Sequence, residues 1–420
     1  MVSVMKKATP LFSICLALLV TGALSSCGGS DPEGETPTPL KKISLTTRQE
    51  AIQSHEIDFS LNLFKEIVAR DPNKNLMISP FSASLCLAMT ATGAEGETYT
   101  QMASTLGFGG FTRGEVGEYY KTLCNGLLEA DNTTKLAIAN AVWPANDLSL
   151  TAAYPGFVKN WYSAEVTPLD FSAANAVEKI NNWAKEHTNG MIPRVLEYLD
   201  ASTRLLLSNA LYFKGKWAGG DMTASKRDFT NFAGNVSRVN FFGDTRLAGY
   251  YSSGKGFTAC GIPYGNSAYS LMILLPKPSL DINSFVASLT PSLLTKTMNA
   301  VKGLINVEVY VPSFKSDYTM DDKFKSALQS MGMQLPFSGS ADFSGISTEP
   351  LFIGQILQKT AIDVNEKGSE AAAVTTVTLF GSSEDPGTSQ PPVFIADRPF
   401  VYAIVEHSYN TILFLGIHGE

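Results

Sequence analysis

The chain predicts an α+β domain, and three observations carry that expectation. Its first third repeats apolar residues at helical spacing, its later part is dominated by strand-length apolar runs, and no internal repeat or Pro/Gly-rich linker divides the body. With 420 residues, 44% hydrophobic and 17% charged, the composition is globular. A net charge of −7 argues against a nucleic-acid partner and against a basic membrane-binding patch.

The elements follow in chain order. Thr46 to Arg70 reads as a helix from Ile52, Ile57, Phe59, Leu61, Leu63, Phe64, Ile67 and Val68, and Asp71–Pro72–Asn73–Lys74 stops it. Asn75 to Pro80 reads as a short buried strand and turn, Phe81 to Thr92 as an apolar helix, and Glu97 to Leu106 as a further helix. Lys135–Pro144 and Ala164–Asp170 read as strands, and Ala173–Asn189 as a helix closed by Asn189–Gly190. Leu205 to Phe213 is a near-continuous apolar run, as expected of a strand buried on both faces. Strands are expected at Phe257–Pro263, Tyr269–Pro276 and Leu304–Phe314, a helix at Tyr318–Met331, and strands at Gln355–Asn365 and Val393–Val405.

The N-terminus has the form of a targeting segment. Lys6–Lys7 precedes an apolar run, Leu11 to Leu24, too short for a membrane span. Leu24–Ser25–Ser26–Cys27 then resembles the lipobox of bacterial lipoproteins. That resemblance implies a signal peptide over residues 1–26, lipidation at Cys27 and anchoring to the outer membrane, and the acidic residues that follow resemble a surface-export signal, which implies surface exposure. Residues 27–45 are expected to be a flexible acidic tether and residues 46–420 a single domain.

Enzyme chemistry is not visible. His55, His187, His407 and His418 fall in no HExxH pattern, and no GxSxG elbow or Walker loop occurs. Cys86, Cys124 and Cys260 have no metal-ligand spacing, and Cys86 and Cys260 read as core residues. No catalytic residue, metal or cofactor is therefore expected. A hydrolase with a triad assembled from distant residues stays open as an alternative.

The unusual stretch is Glu366 to Pro392. Glu366–Lys367–Gly368 is a polar corner, Ser369 to Thr378 is small or β-branched, and Gly381 to Pro392 is rich in Gly, Ser and Pro. Such a segment is either a permanent strand or a surface loop able to become one.

Six ordered blocks resemble the serpin family. They are Asn75–Gly93 (NLMISPFSASLCLAMTATG); Ile180–Trp183 with Thr188–Ile192; Ser208–Trp217 (SNALYFKGKW); Gly332–Met333 with Ala341–Ile346; Val364–Ala373 (VNEKGSEAAA); and Phe394–Phe400 (FIADRPF). The resemblance runs from about Thr46 to Gly416. It implies helices packed around a large central mixed sheet, two smaller sheets and an exposed reactive loop over about residues 366–392. It also implies a monomer whose partner is a serine or cysteine protease, trapped covalently when the cleaved loop inserts into the central sheet.

Residue roles follow from the same resemblance. Glu366, Lys367, Gly368, Ser369, Glu370, Ala371, Ala372 and Ala373 match the hinge. Trp217 matches the breach, where insertion begins. Ser79, Ser82 and Asn209 match the shutter, where Gln358 stands in place of the family's frequent His. Counting the usual loop length forward from Glu366 gives a Ser382–Ser383 reactive bond; counting back from Pro399 gives Thr388, and Thr378, Leu379 and Phe380 lie nearby. None of these is basic, so elastase-like or chymotrypsin-like targets are favoured over trypsin-like ones.

The loop has the composition insertion requires. Ser369, Ala371, Ala373, Thr375, Val377 and Leu379 would share one face of a strand, and neither Pro nor a basic residue occurs from Gly368 to Gly381. Ser369 to Ser382 would extend ~46 Å, against ~50–55 Å for the diameter of a chain this size. Alternatives are a non-inhibitory serpin serving as a surface binding protein and a surface glycan-binding lipoprotein.

Overall fold

The computed structural model of the protein describes residues 37–200, 203–254, 256–320, 322–354, 356, 358–369 and 390–420. They belong to one unit spanning residues 35–420.

Helix α1 (Thr47–Arg70) begins at a reciprocal cap: the Gln49 amide donates to Thr46 Oγ1, and the Thr46 amide donates to Gln49 Oε1. Strand β1 (Leu76–Ile78) follows, then α2 (Pro80–Ala91), capped by Ser79 with Pro80 at its first position, and α3 (Gly96–Leu106). Helix α4 (Arg113–Glu129) precedes β2 (Lys135–Pro144), α5 (Tyr154–Tyr162), β3 (Glu165–Val166), α6 (Ala176–His187) and β4 (Leu205–Lys216). Next come β5 (Thr223–Thr230), β6 (Val236–Ser252), β7 (Phe257–Pro263) and β8 (Tyr269–Pro276), then α7 (Ile282–Ser288) and α8 (Pro291–Ala300). The remainder is β9 (Leu304–Pro312), β10 (Phe314–Met320), α9 (Asp322–Ser330), β11 (Gln358–Asn365), β12 (Gly368–Ser369), β13 (Val393–Ile395), β14 (Phe400–Glu406) and β15 (Thr411–His418).

The strands form two sheets. One has six strands in the order β10-β11-β12-β4-β2-β3, antiparallel except for the parallel β2–β3 pair. The other follows β1-β15-β14-β8-β7-β6-β9-β13, with β5 also paired to β6. The two smaller sheets expected from the sequence are thus one continuous sheet of nine strands. The cause is the length of β6, whose 17 residues pair with β5 and β9 along most of their course and with β7 at Gly249–Ser252.

Several boundaries differ from the sequence reading. Tyr318–Met320 is the end of β10, since β11 pairs along it as far as Met320–Gln358, and the helix starts only at Asp322. Val393–Val405 is two strands, because the chain leaves β13 before Arg398–Pro399 and enters a different strand pairing at Phe400. Of Ala164–Asp170, Glu165–Val166 alone is a strand, Leu169 making an isolated bridge to Ala145. Helix α4 escaped notice because Gly114, Gly117 and Gly126 depress its helix propensity. A Thr112–Glu115 capping box and the buried Val116, Tyr119, Tyr120, Leu123 and Leu127 fix it instead.

The supposed tether is also partly ordered. The Thr38 amide donates to Asn132 Oδ1, the Ile43 amide to Ser408 Oγ, and the Leu45 amide to the Tyr409 hydroxyl. Ile43 is buried and lies where any Cβ on Gly126 of α4 would fall within 2.7 Å of it. Residues 38–45 are therefore a strap on the body, held by backbone bonds that composition does not advertise.

Candidate functional site

Strand β11 ends in a corner whose backbone is closed locally: the Lys367 amide donates to Asn365 Oδ1 at 3.0 Å, and the Met222 amide donates to the Glu366 carbonyl at 2.8 Å. The chain then reverses as β12. Gly368 and Ser369 pair with Asn365 and Val364 on one side and with Lys216 and Gly215 of β4 on the other. Gly368 has φ +138°, and a Cβ there would sit 2.1 Å from the Gly215 carbonyl oxygen, so both the dihedral and the approach demand glycine.

Ser369 is fully buried, and its hydroxyl pairs with that of Tyr264. Burial pushes the Tyr264 phenol upward, so it remains a neutral donor or acceptor. Trp217 roofs the corner. Its Nε1–H donates to the Asn365 carbonyl at 2.9 Å, and its ring stacks on Tyr264 at 4.6 Å and Phe242 at 5.6 Å. Arg246, paired with Asp244, donates to the carbonyls of Ala218 and Gly220 and so fixes the turn after Trp217.

Below this corner the six-stranded sheet changes character. Among the described residues, β11 and β4 are laddered to one another through β12 alone. The run expected to be buried on both faces is only partly so: Leu205–Asn209 are half-buried, and Ala210–Phe213 are buried.

At the far end of β11, Gln358 clamps the start of α2. Its Oε1 accepts from the Ser79 amide and its Nε2 donates to the Ser79 carbonyl, both at 2.8 Å. Ser79 Oγ accepts from the Ser82 amide and donates to the Leu413 carbonyl at 2.7 Å. Thr360 adds a bond from its hydroxyl to the Met77 carbonyl. Three of the four residues matched to the shutter therefore meet. Asn209 turns toward β2, donating to Asn140 Oδ1 at 2.8 Å and to the Ala139 carbonyl, while its own Oδ1 is buried without a partner among the described residues. Tyr264, Arg246, Thr360 and Asn140 escaped the sequence reading, since nothing in their local patterns separates them from ordinary core and surface residues.

Glu370, Ala371, Ala372, Ala373, Thr378, Leu379, Phe380, Ser382, Ser383, Thr388 and the lipobox Cys27 lie outside the described residues. Cys260 is buried, whereas Cys86 is only partly so, and burial pushes the Cys86 and Cys124 thiols up to about 12. Among the described residues no group of three or more His, Cys, Asp or Glu could hold a metal ion.

The family model described as "Serpin (serine protease inhibitor)" matches residues 54–418. The leukocyte elastase inhibitor of Bos taurus is 31% identical over 382 residues, covering 87% of this chain and 98% of its own. The crystal structure of tengpin, a thermophilic serpin, in the native state superposes with a TM-score of 0.80 at 29% identity, over 92% of this chain and 97% of tengpin. Human thyroxine-binding globulin complexed with its hormone superposes with a TM-score of 0.78 at 27% identity, over 88% and 98%.

Proposed function

The chain belongs to the serpin family, and from that premise we propose that it is a suicide-substrate inhibitor of extracellular serine proteases, with cysteine proteases a secondary class. The observation that carries the reading is the seating of Gly368–Ser369 between β11 and β4. Those two residues would be the first rungs of the inserted strand, and their pairing sets the register its continuation would take. Extending the Ser369–Gly215 pairing antiparallel sets Glu370 opposite Lys214 and Leu379 opposite Leu205. Ten loop residues would thus fill the ten positions of β4 below the corner, about 33 Å of strand.

The same register gives each loop side chain a face. Ser369 lies opposite Val364, so Ala371, Ala373 and Thr375 would lie opposite Ile362, Thr360 and Gln358, all three buried in β11. Glu370 would lie opposite Asp363 on the outer face, with Lys214 on its other side to balance the charge. Small inward residues enter first, and the charged Glu370 stays in water. A cleaved loop would gain backbone bonds on both edges along its length, which favours insertion over release.

In the intact protein, the loop beyond the hinge offers a bond near Ser382–Ser383 to the protease, with Thr378, Leu379, Phe380 and Thr388 as neighbouring candidates. Attack forms an acyl-enzyme at the loop carbonyl and releases the loop's C-terminal part. Insertion then carries the acylated protease along the sheet before water can hydrolyse the ester. The small and apolar residues at these positions, together with the likeness to an elastase inhibitor, favour elastase-like or chymotrypsin-like targets. The lipobox resemblance supports a lipid anchor at Cys27 on the outer membrane with the inhibitor facing outward, and the family resemblance supports a monomer; fatty-acid labelling that a Cys27→Ser variant loses tests the anchor.

The decisive experiment mixes mature protein with elastase-like and chymotrypsin-like proteases and separates the products on a denaturing gel. A covalent adduct, with a C-terminal peptide whose mass fixes the scissile bond, is expected. Clean cleavage without adduct by every protease tried overturns inhibition. It would favour a binding role, the reading that the likeness to thyroxine-binding globulin supports.

A further inference from the structure

Glu56, on the buried face of α1, is 5% exposed. Its Oε1 accepts from the Tyr120 hydroxyl, and its Oε2 accepts from Ser84 Oγ at 2.7 Å. Tyr119, Tyr120 and Cys124 surround it from α4, Phe81 and Ser84 from α2, and Thr411 and Ile412 from β15. None of these side chains is charged at neutral pH, and no ion pair among the described residues includes Glu56. An isolated carboxylate is costly in such a place.

Two further details make this a site with two satisfied states. Ser84 Oγ also lies 3.1 Å from the Phe81 carbonyl, in a geometry that allows donation. With Glu56 ionised, Tyr120 and Ser84 both donate to the carboxylate. With Glu56 protonated, the new O–H donates to Ser84 Oγ, the Ser84 hydroxyl turns to the Phe81 carbonyl, and Tyr120 keeps its bond. Beside the carboxyl is a cavity of about 10 Å³ lined by Glu56, Ser60 and Thr411 among others, close to the size of one water. Thr411 Oγ1 is buried there without a partner among the described residues.

We propose that Glu56 is a proton switch: it exchanges one proton between two hydrogen-bonded arrangements of Ser84, each of which ties α1 to α2, and the protonated arrangement does so without burying a charge. The consequence for inhibition rests on the proposed function, because α2 begins at Ser79, which Gln358 ties to the six-stranded sheet. Protonation removes a buried charge from that α1–α2 contact, so the native form is expected to persist longest at mildly acidic pH.

Burial raises the Glu56 carboxyl to about 7, against the pull of the Tyr120 and Ser84 hydrogen bonds. A carboxyl raised in the folded state stabilises that state fully below its unfolded value, and the stabilisation disappears as pH climbs through the folded value. The native form is therefore expected to weaken from about pH 4.5 to about pH 7 and to level off above that. Glu406, also raised by burial, contributes in the same direction, so the difference between variants is what identifies Glu56.

The test follows thermal unfolding of the full chain from about pH 5.5 to about pH 8.5, for the wild type and Glu56→Gln. The wild-type midpoint should fall by roughly 2–4 °C more than that of the variant. Equal slopes overturn the proposal. Should Glu56→Gln not fold, infrared spectroscopy of the wild type replaces it. A protonated-carboxyl C=O band should be present at the acid end and disappear in a step near neutrality. Tyr120→Phe, which removes a donor to the ionised form, should move that step to higher pH. A missing band or an unmoved step likewise overturns the switch. Neither readout needs a protease, so absence of adducts would sink the inhibitory function and leave this result standing.

Discussion

The two sheets use similar residues to different ends. In the nine-stranded sheet, β8, β14 and β15 are buried at every position, and each is hydrogen-bonded on both edges. In the six-stranded sheet, β4 carries an equally apolar run, yet its first five residues are half-buried, and the described ladder to β11 consists of two residues. Apolar content is therefore a poor guide to how fully a strand is used. What separates the sheets among the described residues is edge pairing: β8, β14 and β15 are laddered on both sides, whereas β4 meets two residues of β12 on one side, which is where the proposed insertion would take place.

The sharpest way to break this contrast is to block that place. Ala373→Glu would set a carboxylate opposite Thr360 and Leu211 on the inner face of the inserted strand, where burying an unpaired charge is prohibitive. Adduct should disappear in favour of cleaved inhibitor, read from the gel as a stoichiometry of inhibition at least about tenfold higher, with target cleavage itself unaffected. Retained adduct formation would show that the inner-face register is wrong.

Paired truncations come next. Leu274→Ala in β8 removes a fully buried side chain and should cost about 2–5 kcal/mol in denaturant unfolding, whereas Leu207→Ala in β4 should cost about 1 kcal/mol or less. Equal losses would erase the distinction between the sheets. Gln358→Leu lies between these values. It strands the amide of Ser79 in a buried site, while the Ser79 carbonyl keeps its bond from the Ala83 amide, and should cost roughly 1–3 kcal/mol, with faster spontaneous loss of inhibition as a second readout.

Acid provides the smallest test, and it bears on the nine-stranded sheet. His418 stacks on Phe314 with ring centres 4.7 Å apart, and burial lowers the pKa values of His407 and His418 to about 4. Histidines held neutral in the fold take up protons on unfolding, so their share of stability is present above their ordinary value of about 6.5 and is lost as pH falls toward 4. His418→Phe should flatten the loss of denaturant midpoint between about pH 6.5 and about pH 4.5. An unchanged acid slope would mean that the loss arises elsewhere.

Much of the architecture was legible in the chain because it is local. The 3.6-residue spacing of Ile52 to Val68, the stop at Asp71–Pro72, and the alternation of Ile305 to Val311 each fix an element without reference to anything distant. Ordered blocks such as SNALYFKGKW and VNEKGSEAAA likewise singled out two segments that meet in the structure, Trp217 donating to the Asn365 carbonyl beside the corner at Glu366–Ser369. Less visible was Arg113–Glu129, whose glycines contradict a helix until Ile43 and Trp161 are packed against them.

What the sequence determined by itself is thus the elements with a strong local pattern, the small and β-branched composition of Ser369 to Thr378, and the absence of any recognised catalytic motif; each is a property of neighbours along the chain. Tertiary structure alone decided that β6 joins two sheets into one, that residues 38–45 are strapped down, that Asn209 faces Asn140 rather than Ser79, and that Ser369 meets Tyr264 across 105 positions of chain. Those outcomes depend on which backbone edges and buried hydroxyls find partners, and hydrogen-bond pairing between distant segments leaves no periodic trace in the residues that make it.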